Sequence, residues 1–121
     1  MSVAQCIAAA ATLFLVATVS HADDGEKEIK YLLSSIGKSD CSFIRNGSAH
    51  SAEDAESHLA MKYERGKRYV SSAETFIDRL ASGSSLSRKP YQIDCPESPP
   101  VPSAEWLTKR LGEYRSAEAS N

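Results

Sequence analysis

Two cysteines, Cys41 and Cys95, constrain this chain more than any other residues in it. Neither has a CxxC partner or a neighbouring histidine, which makes a zinc site or a reactive thiol the weaker alternative. In an oxidising compartment the default for such a pair is a disulfide. Closing a loop of about 55 residues contributes roughly 4 kcal/mol in the chain-entropy description. A domain of about a hundred residues is only marginally stable on its core alone, so a covalent staple suits it.

Whether those thiols meet an oxidising compartment depends on the N-terminus. Residues 2–22, SVAQCIAAAATLFLVATVSHA, carry no Lys, Arg, Asp or Glu. The apolar run Ile7 to Val19 has the length of a signal-peptide core and is short for an ordinary spanning helix. Ser20 and Ala22 supply small residues at the −3 and −1 positions, so cleavage is expected between Ala22 and Asp23. A Lys or Arg before the apolar run is missing, and the rival reading is an uncleaved anchor made from the whole charge-free stretch. Alanine-rich segments partition weakly into lipid, which favours cleavage. Cys6 precedes the apolar run, where a lipidated cysteine would follow it. The expectation is a signal peptide over 1–22 and one domain over 23–121, with no stable membrane insertion after cleavage.

The formal net charge is −2 and the pI about 5.9. That balance argues against a nucleic-acid or anionic-membrane surface, either of which needs a basic excess.

Along the remaining chain, Ile29, Leu32, Leu33 and Ile36 fall at helical spacing and predict a first helix over about 24–36, with Gly37 and Lys38 closing it. Cys41 to Arg45 reads as a strand, Asn46-Gly47 as a type I′ turn and Ser48 to His50 as the return strand. Asn46-Gly47-Ser48 also fits a glycosylation pattern, but the turn alone accounts for it. Ser51 with Asp54 caps a second helix over about 52–65, its buried stripe Ala52, Ala55, Leu59 and Tyr63. Ser71-Ser72-Ala73-Glu74 opens a third through about Ala81, with Phe76, Ile77 and Leu80 inward. SGSSLSRKP is a loop, Tyr91 to Cys95 a third strand, and PESPPVP a stiff connector. Ser103 and Glu105 start a last helix carrying Trp106, Leu107, Leu111 and Tyr114, after which SAEASN frays.

The order α-β-β-α-α-β-α predicts an α+β fold: about three antiparallel strands packed with about four helices and closed by one disulfide. If Cys41 faces Cys95 across an antiparallel pair, Phe43 faces Ile93 and Arg45 faces Tyr91, all on one side of the sheet. That register brings the Asn46-Gly47 turn beside the loop Ser84 to Pro90.

FIRNG, HLAMKY, AETFIDRLASGSSLSRKPY, SAEWL and EYR follow one another from Phe43 to Arg115, within a resemblance that covers roughly residues 27 to 115. In that order they resemble the YfeK-like family of small exported bacterial proteins, whose domain has no known function. The resemblance implies export, a single domain and periplasmic residence; it implies no activity, cofactor or site residue. The family loop usually reads SSLSGKPY, so Arg88 stands where a glycine would permit a positive φ. A less tightly wound loop is therefore expected here.

Arg45, Asn46, His58, Lys62, Ser84, Ser85, Ser87, Lys89 and Tyr91 form the candidate site. Cations with serine hydroxyls and loop amides suit an anion such as a carboxylate or phosphate. The plainer alternative has Arg45 stacked on Tyr91, the serines capping turns and Lys62 in solvent. His58 and Lys62 share a helix face, and a histidine beside an apolar stripe is more often a packing residue than a base. His50, Asp54 and His58 are spaced by four, but His50 precedes the N-cap Ser51, so no metal site is expected. There is no GxSxG context and no phosphate-binding glycine loop, and no cofactor is expected.

The reading favoured is a non-enzymatic, disulfide-stapled domain that binds a small anion, a cell-envelope component or a protein. One alternative is a small hydrolase or transferase using His58 with a serine of the 82–87 loop. Another is an interaction module docking through Trp106 and Tyr114, which at helical spacing are more often core.

Overall fold

The structure is a computed structural model that describes residues 11–13 and 21–121, with side chains in the first helix from Asp24 onward. The leader expected over 1–22 lies outside the described residues, apart from 11–13 and the backbone of 21 and 22.

Helix α1 (His21–Lys38) buries the predicted stripe: Ile29, Leu32, Leu33 and Ile36 are all inside. It runs through Gly37, which has no positive φ and is no cap. Instead Ser39 Oγ donates to the Ile36 carbonyl at 2.7 Å and satisfies the helix end. At the other end Gly25 lies so close to the 71–72 segment that a Cβ there would sit 2.6 Å from the Ser71 carbonyl oxygen. Only glycine allows α1 to pack this tightly.

Strands β1 (Ser42–Arg45) and β2 (Ser48–His50) are joined by Asn46 (φ 49°) and Gly47 (φ 79°), the two positive φ values of a type I′ turn. Ser51 Oγ accepts from the Asp54 amide at 3.1 Å and starts α2 (Ala52–Gly66), which buries Ala55, Leu59 and Tyr63. A 3-10 turn, Lys67–Tyr69, leads to Ser72, whose Oγ accepts from the Thr75 amide at 3.1 Å and caps α3 (Ala73–Phe76). The third helix departs from the regular winding expected to Ala81: Ile77–Ala81 form a π turn. At its end the Ala81 carbonyl accepts from Ser103 Oγ at 2.7 Å, deep in the core.

Strand β3 (Gln92–Asp94) pairs with β1 in the expected register, Phe43 opposite Ile93, and Cys41 is bridged to Cys95. The proline-rich segment departs from a bare connector. Val101–Pro102 form a fourth strand, β4, against β3, giving the antiparallel order β2-β1-β3-β4. Prolines hid it from the pattern, yet an edge strand tolerates a residue that cannot donate. Helix α4 (Ser103–Ala119) follows at once, tied to β3 by the Ser103 amide on the Tyr91 carbonyl at 2.9 Å. Leu107 and Leu111 are buried, and the helix continues to Ala119, past the point where fraying was expected.

The fold is α+β with four helices, a four-stranded antiparallel sheet and one disulfide. Phe43, Tyr91 and Ile93 face the helices, whereas Ser42, Gln92 and Asp94 face solvent. The helices are clamped on the outside by Arg115, whose guanidinium binds Glu28 of α1 at 2.6 and 2.9 Å and Glu74 of α3 at 2.6 Å. Among the described residues no helix is long and apolar enough to cross a membrane.

Candidate functional site

The register that buries Phe43 and Ile93 also carries Arg45 to the end of β1, where it meets α2. Arg45 Nη1 lies 2.8 Å from His58 Nε2. A guanidinium can only donate, so Nε2 accepts and the ring proton sits on Nδ1. Burial, and then the charges of Arg45, Lys62 and His50, lower the His58 pKa below its ordinary value. Histidine here is a neutral acceptor held between cations.

One helical turn on, Lys62 Nζ donates to the Tyr91 hydroxyl at 3.2 Å and to the Gly83 carbonyl at 3.3 Å, with its charge 5.1 Å from the Tyr91 ring centre. Burial and then Arg45 lower its pKa, while burial raises that of Tyr91. Lys62 is therefore anchored at the candidate site, and the plainer alternative that left it in solvent does not hold. Arg45 stacks on no ring among the described residues; its place on Tyr91 is taken by Lys62.

The third wall is the Ser84–Lys89 loop. Gly83 and Pro90 form a bridge at its neck, the Ser84 amide donates to the Lys89 carbonyl at 3.0 Å, and the Arg88 amide to the Ser84 carbonyl at 2.9 Å. Ser87 Oγ donates to Asn46 Oδ1 at 2.6 Å, fastening the loop to the β1–β2 turn as the register predicts. The loop is tightly wound although residue 88 is not glycine: Arg88 takes φ 58°. A non-glycine residue there costs on the order of 1 kcal/mol. Arg88→Gly should then leave the fold unchanged or make it more stable by up to about 1 kcal/mol, read from urea denaturation; a clear loss would show that the arginine side chain stabilises the loop.

These walls border an open hollow of about 420 Å³ lined by Arg45, Asn46, His58, Lys62, Ser84, Ser85 and Tyr91. Of the nine candidate residues, Ser87 acts one step back through Asn46, and Lys89 lies outside the lining with its side chain exposed. Met61, Arg65 and Leu86 line it too and were missed. Arg65 was findable, since residues 58, 62 and 65 share one face of α2. No carboxylate lies within ion-pairing distance of Arg45, Lys62 or Arg65 among the described residues. Donors therefore outnumber acceptors, and an oxyanion is the chemistry that balances them.

None of the serines from 82 to 87 hydrogen-bonds His58: Ser82 Oγ donates to the Asp78 carbonyl, and Ser84 Oγ accepts from the Ser87 amide. No group of metal-ligating side chains forms among the described residues. Trp106 is half-buried with Arg110 over its ring at 5.1 Å, and Tyr114 packs on Tyr31 with ring centres 4.5 Å apart.

A depressed histidine pKa also sets a pH dependence. The unfolded chain takes up a proton near pH 6.5 and the folded chain only at lower pH. The stability His58 contributes is complete above about pH 6.5 and is lost as pH falls through the folded value. Melting temperatures should accordingly decline as pH falls below about 6.5, with a shallower decline in His58→Gln; equal slopes in the two proteins would exclude this residue as the source.

Uncharacterized protein YfeK of Salmonella typhimurium (strain LT2) is 39% identical over 87 residues, covering 71% of this chain and 72% of that protein. No solved structure matches. Residues 23–115 match the family of unknown function DUF5329, and the chain belongs to that family as a YfeK-like member.

Proposed function

We propose that the domain binds a small oxyanion, a carboxylate or phosphate, in the hollow between β1, α2 and the Ser84–Lys89 loop. The observation that carries this reading is the set of Arg45, Lys62 and Arg65 around one hollow with no carboxylate in ion-pairing reach among the described residues. Tyr91 supports it from beneath: its buried hydroxyl accepts from Lys62 and fixes that ammonium at the hollow. His58 supports binding over catalysis, because Nε2 is engaged by Arg45 and no loop serine bonds to the ring. The hydrolase or transferase alternative would need that serine.

A thermal-shift series with inorganic phosphate, sulfate and citrate tests the proposal. A ligand at about ten times its Kd adds roughly 1.4 kcal/mol, a rise of several degrees for a domain of this size. Arg45→Ala should abolish the rise. No shift with any of the three anions would overturn the reading.

Residence in the periplasm belongs to the same proposal, with residues 1–22 as a cleaved leader and 23–121 as the working domain. It is supported by the cystine, which persists in oxidising compartments, and by a family match that starts at residue 23. The intact mass of the exported protein tests it: cleavage between Ala22 and Asp23 gives a defined loss, and retention of the full chain would exclude it.

A further inference from the structure

Leu86 is 97% exposed at the tip of the Ser84–Lys89 loop, and Met61, 41% exposed, sits on the rim of the same hollow. The leucine is not carried on slack chain. Hydrogen bonds across the loop neck, and from Ser87 to Asn46, hold the tip in place. A fixed loop thus keeps an apolar side chain in water, where its hydration is unfavourable.

Its surroundings are cationic. Arg45, Lys62 and Arg65 line the hollow beside it, and Arg88 and Lys89 follow two and three residues later in the loop. None of the five is within ion-pairing distance of a carboxylate among the described residues. The net charge of −2 is a sum over the whole chain. At physiological salt a charge acts over about 8 Å, so the patch is set by its near neighbours, which include Asp54 in the adjacent hollow that Arg45 and His58 also line.

An apolar tip at the edge of a cation-lined hollow matches the layering of an anionic bilayer, in which phosphates lie just outside the hydrocarbon. We propose that this rim docks on an anionic lipid surface, with Leu86 inserted and a lipid phosphate seated against Arg45 and Lys62. The proposal rests on the oxyanion reading and gives the anion its source. Charge complementarity selects the lipid surface over a neutral apolar partner, because five cations would be desolvated against the latter with nothing to pair them. One leucine and a few cations give weak, reversible attachment and no insertion of the fold.

The test is sedimentation of the oxidised protein with vesicles containing about a third phosphatidylglycerol, against vesicles of phosphatidylcholine alone. Every variant keeps the same N-terminus, so that segment contributes equally throughout. Binding is expected only to the anionic vesicles and should be lost in about half-molar salt. Leu86→Ser, a change at a side chain that touches little, should weaken it about tenfold. Lys89→Ala should weaken it about fivefold. Unchanged binding in Leu86→Ser, or binding indifferent to salt, would overturn the proposal. Inorganic phosphate separates the two readings: an Arg45-dependent thermal shift without vesicle binding defeats the docking and leaves the oxyanion site standing. Absence of both defeats both. Vesicle binding that needs Leu86 but survives Arg45→Ala defeats the seating of the phosphate in the hollow.

Discussion

Replacing Cys41 and Cys95 together by serine should cost the domain about 4 kcal/mol, a large share of what a chain of this size has. The bridge closes a loop over a sequence separation of 54 and joins the neighbouring ends of β1 and β3. Opening it frees the unfolded chain and leaves the folded contacts almost as they were, so the loss is chiefly entropic in this description. Urea denaturation of the oxidised wild type, the reduced wild type and the double serine variant measures it. The last two should agree, with midpoints well below the first. A difference under about 1 kcal/mol would mean that the core alone holds the pairing. The consequence reaches the site, because one register runs from the bridge through Phe43 and Ile93 to Arg45.

Tyr91→Ala should be nearly as damaging, at about 3–5 kcal/mol, the usual cost of truncating a buried aromatic ring. The ring is 1% exposed and packs on Phe43 with centres 5.2 Å apart. Tyr91→Phe separates the two halves of its role. It keeps the ring and removes only the acceptor of the Lys62 bond, so it should cost about 1 kcal/mol. Lys62 then retains the Gly83 carbonyl alone. If Phe proves as harmful as Ala, the hydroxyl network outweighs the packing and the energetic description of this residue is wrong. Lost anion stabilisation in Tyr91→Phe with near-native stability would place the hydroxyl in the binding surface.

Much of this architecture is local and was therefore legible. Ile29, Leu32, Leu33 and Ile36 name a helix face by spacing alone, and all are buried. Asn46-Gly47 specifies its turn because both residues tolerate positive φ, and Ser51 and Ser72 mark helix starts because their hydroxyls satisfy otherwise unpaired amides. The β1–β3 register followed from one covalent constraint combined with the two-residue period of a strand. The features that escaped are long-range. Val101–Pro102 pair with β3 because α4 must start beside Tyr91, and nothing within PESPPVP states that. Ser103 looked like a helix-starting residue, but its hydroxyl is committed inward to Ala81.

The candidate site divides the same way. Residue types and the nearness of the 84–89 loop to the β1–β2 turn were implied by spacing and register. The expected Arg45–Tyr91 pair is not part of the ladder, because the Tyr91 amide and carbonyl bond Ser82 and Ser103 instead. Which cation meets which partner was not implied. Arg45 went to His58, and Lys62 to Tyr91 and Gly83, because side-chain reach across a curved sheet and a helix depends on a few ångströms that no pattern encodes. Arg88 winds the loop in a conformation better suited to glycine, since the Ser84 and Ser87 hydrogen bonds around it outweigh a local preference worth about 1 kcal/mol. Short-range chemistry thus chose the elements and their order; the assembled packing chose the neighbours of each charged group, because electrostatics and hydrogen bonding act through space between residues far apart in the chain.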